Sequence, residues 1–445
     1  MDTITVLEPA SVQPDAQAHA APRWHPLARI TFRFCVLYFG TYCVLTQIVN
    51  SVLQVPNFDV PDWATLPPIR PVVFWVAAHV FGLKTPLVYS GSGSGDKQFD
   101  WVLLFCMLVT AVVGTAVWSA LDRKRLSYPR LHARFWLFLR FCLAGQMFVY
   151  GIIKAIPLQM PYPFLSRLVE RFGDFSPMGV LWSSTGAAPG YETFAGCAEL
   201  LGGLLLIFPR TTILGALIAL ADMINVFILN MTYDVPVKLL SFHLIVVSLL
   251  LLSPDMSRLA NFFFLNRTAE PRVQAPLFAD RRAQRITSGI LAFLWLWMLG
   301  CGAYGVWDAW HQYGGGRVKS PLYGIWNIQA YTLDGKPQPL AVTDPQAWRR
   351  IIFDFPHYAE VDMMDDSRGY GVSVDEKARS LTLTDFRDKK WQAKFTYMRP
   401  TFDRLSLEGA IGGKPATLQL QRMDENKFLL KSRGFHWVQD YPFNR

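Results

Sequence analysis

The sequence predicts a membrane all-α helical bundle of about seven transmembrane helices, followed by a soluble antiparallel β-barrel or sandwich. Three observations carry this. Six or seven long apolar runs fill the stretch from about Ile30 to Val306, and each is long enough to cross roughly 30 Å of hydrocarbon at 1.5 Å per residue. From about Tyr313 the periodicity changes to the two-residue alternation of strands. Hydrophobic residues make up 51% of the chain, charged ones 17% and aromatic ones 14%, a balance that suits spans with aromatic belts at their ends. The formal net charge of +9 is assigned to Lys and Arg retained in cytoplasmic loops, so nucleic acid is not among the expected partners. The expected partners are the lipid bilayer and a redox or envelope protein.

The N-terminal stretch, 1–28, reads as a disordered cytoplasmic tail. Met1 to Trp24 is polar, carries three acidic residues, and lacks the basic region and cleavage site of a signal peptide. A first span from about Ile30 to Val52 is expected to act as an uncleaved anchor. The Pro-rich loop that follows ends in Ser90-Gly-Ser-Gly-Ser-Gly95, with no Lys-Ser/Thr after it, so it reads as a turn rather than a phosphate loop. Within it, Val72 to Leu83 is too short to span and is placed at the interface. Trp101 to Leu121 is the second span, closing 29–134 as two spans and an outer loop. Asp122-Arg-Lys-Arg125, Arg130 and Arg134 then mark the cytoplasmic side.

Four spans are expected over 135–252: Phe135 to Ile156, Tyr191 to Phe208, Thr211 to Thr232, and a short one from Leu239 to Leu252. The Pro/Gly-containing segment Leu158 to Gly190 separates the first two. A basic cytoplasmic loop, 253–285, carries six arginines including Arg258 and Arg272. A last span, Ile286 to Val306 within 286–312, leads out. This arrangement predicts an inner-membrane protein with its N-terminus in the cytoplasm and the domain 313–445 in the periplasm.

Seven segments of that domain alternate or carry β-branched and aromatic residues: Trp326 to Tyr331, Ile351 to Phe355, Gly371 to Asp375, Ser380 to Thr384, Ala393 to Tyr397, Leu405 to Glu408 and Ala416 to Gln421. Turn signals at Asp334-Gly335, Asp365 to Gly369, Gly412-Gly413 and Asp424 to Asn426 separate them, giving seven or eight strands. The domain has no cysteine, so burial alone must hold it together. Gly324-Ile-Trp326 with the late Arg433 resembles the Gly-x-Trp and Arg of lipocalin-type barrels. Such barrels hold a small apolar ligand or a filled core, and both remain open.

The six cysteines fall within or beside apolar runs and form no C-x-x-C pair, so neither a zinc nor a dithiol centre is indicated. Polar groups inside the spans are the functional candidates, because each is costly in hydrocarbon unless it meets a partner, water or a ligand. Arg140, Met147, Gly151 and Lys154 share one helical stripe. Glu192 and Glu199 lie seven apart, beside Ala195, Gly196, Gly202 and Gly203, whose small size permits close helix contact. Gly215, Ala219 and Asp222 form a third stripe, near Asn225. Counting depth along the helices, Arg140 at roughly 8 Å and Glu199 at roughly 13 Å from the cytoplasmic side are expected to pair. Lys154, Glu192, Asn230 and His243 gather in the outer half, walled by Leu158 to Gly190, as candidates for ligand binding or proton exchange. Arg140, Glu199, Asp222 and Asn225 form an intramembrane polar core. The bland alternative is that these groups pair only to neutralise one another and fix helix register. No metal site, nucleophile–base pair or cofactor loop is visible, so no enzymatic activity is assigned.

Arg140, Gly151-Ile-Ile-Lys154, Ala198-Glu-Leu-Leu-Gly-Gly203, Phe208-Pro-Arg210 and the apolar run carrying Asn225 together resemble the DoxX family of small bacterial membrane proteins. The resemblance covers about Phe135 to Leu252. It implies a four-helix membrane core whose polar residues are Arg140, Lys154, Glu199 and Arg210. Family members are linked to thiosulfate:quinone oxidoreduction as a membrane subunit and to redox-stress complexes, so the resemblance implies a quinone-linked membrane subunit or anchor, with quinone as its cofactor. Three further spans, the segment Leu158 to Gly190 and the C-terminal domain depart from the small-family pattern. Two alternatives stand beside this reading: a carrier that binds a small lipid or solute, and a structural envelope protein without ligand.

Overall fold

The computed structural model describes residues 23–58, 60–90, 95–270, 280–338, 347–363 and 366–444. The expected tail over 1–22, the centre of the Gly/Ser turn and Arg272 lie outside the described residues. Among the described residues, seven helices are long and apolar enough to cross a membrane. The chain divides into two compact units.

The first unit comprises Met1–Asn50, Pro61–Cys142 and Arg258–Ile290. Its helix α1, Pro26–Leu45, begins where His25 accepts the Leu27 amide and Pro26 supplies a preset φ. The short α2, Gln47–Val52, follows. Helix α3, Ile69–His79, falls on the segment expected at the interface and leaves Val72 and Trp75 exposed. Helix α4, Gln98–Leu121, begins where the Asp100 carboxylate reaches back to accept the Lys97 amide at 3.0 Å. Arg33 is buried near the end of α4, where its guanidinium donates to Tyr128 Oη, Ser119 Oγ and the Asp122 carbonyl. A charge so deep in an apolar helix persists because its donors are met. Helix α5, Pro129–Ala155, passes from this unit into the next.

The second unit comprises Ser51–Val60, Leu143–Ser257 and Leu291–Arg445. The segment expected as a Pro/Gly loop contains α6, Leu165–Val169, and α7, Pro177–Gly186. The latter starts on Ser176, whose hydroxyl accepts the Gly179 amide at 3.0 Å. Helices α8, Pro189–Ile207, α9, Thr212–Thr232, and α10, Lys238–Leu252, complete a four-helix group with α5. Past Leu252 the chain stays helical through a 3-10 turn into α11, Met256–Phe263, so the sixth span covers Lys238–Phe263 rather than stopping short. Helix α12, Arg281–Gln312, has 32 residues. At 1.5 Å each it reaches about 48 Å, well beyond one hydrocarbon thickness.

Glycine sets the spacing of the four helices. A Cβ on Gly151 would lie 2.8 Å from the Leu200 amide nitrogen, and one on Gly196 would collide with the Ala155 nitrogen and the Lys154 carbonyl carbon. One on Gly203 would crowd Ala144 and Met147. These contacts run in opposite directions along α5 and α8, so the two helices are antiparallel and nearly touch backbone to backbone. Gly215 meets Leu206 and Gly202 in the same way between α8 and α9.

The C-terminal part is a closed antiparallel barrel, which decides between the barrel and the sandwich. Its strands are β1, Gly324–Leu333, β2, Lys336–Pro337, β3, Trp348–Phe355, β4, Tyr358–Met363, β5, Ser367–Asp375, β6, Ser380–Asp385, β7, Gln392–Thr401, β8, Arg404–Ile411, and β9, Lys414–Met423. Each pairs with its neighbour in chain order apart from the two-residue β2, which appends to β1. The β1–β9 pairing closes eight strands into a ring, and closure removes every long edge. Inward side chains such as Ile351, Phe353, Val361, Leu383, Leu407 and Leu418 form one contiguous buried cluster. A register shift between Ile328 and Ala330 changes the phase of β1, so Ile328 and Tyr331 both join that cluster. Trp326 is fully buried, donates Nε1–H to the Leu322 carbonyl at 2.8 Å, and lies under the Arg399 guanidinium at 5.5 Å. The arginine expected in this role, Arg433, instead bonds Gln439 and stacks on Phe443. It lies beyond the last strand, where it cannot follow the pleat back to the tryptophan.

Candidate functional site

A cavity of about 110 Å³ lies among α5, α7, α8, α9 and α10. Such a volume holds several waters or one small headgroup. Lys154, Glu192 and Asn230, expected in the outer cluster, line it together with Glu199, Asp222 and Asn225 from the expected polar core. The two groups are therefore one site. Gln159, Met160, Leu181, Trp182 and Thr185 form a wall from the segment between α5 and α8, as the sequence leads one to expect.

Lys154 and Glu199 form an ion pair, with side chains only 11% and 1% exposed. This corrects the expected Arg140–Glu199 pair. The glycine contacts set Glu199 level with Gly151, three residues before Lys154; reaching Arg140 would need a register eleven residues off, about 16 Å along the axis. Arg140 belongs to the other unit. Asp222, reaching in from α9, is within electrostatic range of both Glu199 and Lys154.

Glu192 sits in the first turn of α8 and is buried. Its Oε1 accepts the Met160 amide at 2.9 Å, which ties the wall segment to the helix that follows it. Gly186, packed on the Met160 and Pro161 carbonyls, holds α7 against the same turn and so delivers Trp182 and Thr185 to the cavity. Asn230 donates to Ser241 Oγ at 3.1 Å and to the Val237 carbonyl at 3.3 Å, joining α9 to α10. Asn225 and Tyr191 line the cavity yet are exposed, so the site reaches the outer face of the helical group along α9 and at the start of α8.

His243 is the candidate that the structure sets apart. It is buried on α10 but is not among the residues lining the cavity. Its Nδ1–H donates to the Leu239 carbonyl at 2.6 Å, a bond within its own helix. Sequence reasoning missed Tyr150, Gln159, Trp182 and Tyr191, which also line the site. Trp182 and Gln159 lie in the intervening segment, where span-by-span inspection for intramembrane charge does not look.

A second polar cleft, of about 720 Å³, lies where α6 meets the barrel. There Arg350 pairs with Asp362 at 3.2 Å. Burial pushes the Glu360 and Asp362 carboxyls above the usual range, and the neighbouring arginines partly offset this for Asp362. Close by, Asp354 accepts the Leu165 amide at 2.9 Å and pairs with Arg317 at 2.6 Å. Arg317 lies over Phe164 and Phe355, 5.3 Å from each ring. Leu165 packs on Ile325 and Ile352. The barrel is thus fastened to the segment that walls the cavity.

Fold and site define a class: a helical protein of membrane type, with a polar cavity among four of its helices and a closed β-barrel after them. No family model and no solved structure matches the chain. It is 31% identical over 133 residues to "Uncharacterized protein YwoB" of Bacillus subtilis (strain 168), an alignment covering 28% of this chain and 79% of that protein. The chain belongs to the family of that protein.

Proposed function

We propose that the chain is a DoxX-like multi-pass inner-membrane protein that binds a small amphiphile, headgroup in the bundle cavity and tail toward the bilayer. One observation carries the reading: six intramembrane polar residues from three spans line a single cavity with a lateral opening at Asn225. Polar groups used only to fix register would pair off and close the space between them. The basic stretch after α4 and the arginines around Arg258 and Arg281 fall on one side of the membrane if the N-terminus is cytoplasmic, and an odd number of spans then puts the barrel in the periplasm. The barrel acts as the docking domain. Its Asp354–Arg317 clamp on the cavity wall gives a docked partner a mechanical route to the site. The filled cluster inside the barrel supports a docking rather than a lipocalin-like carrying role for that domain.

A second reading, a quinone-linked subunit or anchor of a redox system, is supported by the resemblance around Lys154 and Glu199. A quinone headgroup is a flat ring of the size that Trp182, Tyr191 and Tyr150 can flank. Mild-detergent purification followed by native mass spectrometry tests both readings. A co-purifying small molecule lost on cavity mutation supports binding; a quinone in that role supports the second reading. A protein of bare-chain mass, unaffected by added amphiphiles, refutes both.

A further inference from the structure

The cavity is short of hydrogen-bond donors. Glu192 Oε2 and Gln159 Oε1 are buried without one, and Glu199 Oε2 and Asp222 Oδ2 have none beyond the contact between their two carboxyls, while Glu192 and Glu199 are 1% and 0% exposed. A buried acceptor left unmet costs about 1–3 kcal/mol, and more for a charged one, so such a set calls for an occupant that brings donors. Three carboxyls face one ammonium, Lys154, whose contact with Glu199 leaves Glu192 and Asp222 without a cation of their own. Trp182, Tyr191 and Tyr150 supply aromatic faces around the same space, the surfaces on which an organic cation rests. Among the described residues, no three His, Cys, Asp or Glu side chains group closely enough to hold a metal ion. Glu199 and Asp222 meet on one side of the space and Glu192 lines it from the first turn of α8; a cavity of about 110 Å³ lined by these carboxyls and by aromatic rings suits a small organic ammonium. The lateral opening at exposed Asn225 leaves a path for an attached apolar tail.

We infer that the ligand is an amphiphile with an ammonium headgroup, seated between Glu192 and Asp222 with its cation against Trp182 and its tail leaving past Asn225. This rests on the ligand-binding reading above and narrows it to one chemical class. It disfavours a quinone, whose carbonyls are acceptors and would add to the surplus. Lys154 then acts as the resident cation that holds Glu199 in place.

The test uses the full chain in lipid nanodiscs, titrated calorimetrically with hexylamine, hexanol, hexanoate and a short-chain ubiquinone analogue, with empty nanodiscs subtracted. Hexylamine is expected to saturate at one site and to bind at least about tenfold more tightly than hexanol or hexanoate. Glu192→Gln and Asp222→Asn are each expected to weaken hexylamine by roughly ten- to a hundredfold, the equivalent of one charged hydrogen bond, and to leave hexanol unchanged. Asp222 is only half-buried, so Asp222→Asn keeps the test open if Glu192→Gln does not fold. Hexanol or the quinone binding as tightly as the amine, or amine binding indifferent to both substitutions, overturns the ammonium assignment and leaves the cavity a ligand site. No saturable binding by any of the four overturns both.

Discussion

Replacing Lys154 by Met strands Glu199 in a site where its side chain is 1% exposed. Taking one partner from a buried ion pair typically costs about 3–5 kcal/mol, because the remaining charge loses its counter-ion and cannot regain water. Asp222 sets where in that range the cost falls: it is hydrogen-bonded to Glu199, and a proton shared between the two carboxyls relieves part of the repulsion once the ammonium is gone. Glu199→Gln should cost less, because Gln still accepts from Lys154 and Asp222 still faces the ammonium. The double replacement by Met removes both charges together, so that neither member of the pair is left without its partner. It should therefore recover at least about 2 kcal/mol relative to the sum of the single Met changes. Unfolding in a fixed detergent, followed by tryptophan fluorescence, measures the cycle. Losses that add to within about 0.5 kcal/mol would show that the pair is not formed, and with it the antiparallel register that places the site.

Three further outcomes follow from the same structure. Gly196→Leu should separate α5 from α8, because even its Cβ collides with the Lys154 and Ala155 backbone; a melting temperature equal to the parent's would mean the helices do not approach there. Glu360→Gln should gain stability over the parent at neutral pH. Burial holds the folded-state carboxyl of Glu360 above its ordinary 4.5, so the parent's stability is fullest below that range and is lost as pH rises through the folded value; the gap between parent and variant should close on acidification, and a gap that widens instead would reverse the sign. A C-terminal alkaline phosphatase fusion should be active and a cytoplasmic reporter at the same point silent; the opposite pattern would move the barrel to the cytoplasm.

Much of the scaffold was legible because its signals are local. Span length and apolar composition located the seven long apolar helices among the described residues, and the small residues of α8 announced a close packing face that Gly196 and Gly203 realise against α5. Asp334-Gly335 and Gly412-Gly413 announced turns; both prove to be two-residue hairpins, and all four residues have positive φ, as that turn demands. Strand β4 lies outside the seven expected segments although Ala359, Val361 and Met363 alternate and are buried. The site was half legible. Residue types in the spans named six of its lining residues, but pairing depends on register between helices, which sequence spacing does not contain. Depth counted from assumed span ends put Arg140 opposite Glu199; the glycine contacts shift that register and hand Glu199 to Lys154. His243 has the chemistry for proton exchange, but it bonds Leu239 of its own helix and is not among the residues that line the cavity.

An experimental map of the chain in lipid nanodiscs, recorded after purification without added ligand and at a resolution that shows side chains, tests the central claim most directly. The account predicts a polar cavity bounded by Lys154, Glu192, Glu199 and Asp222, with Trp182 over it and non-protein density extending past Asn225. A bundle in which α8 and α9 close over that space, leaving Asp222 and Asn225 turned to lipid and Glu192 on a separate face from Lys154, would contradict it.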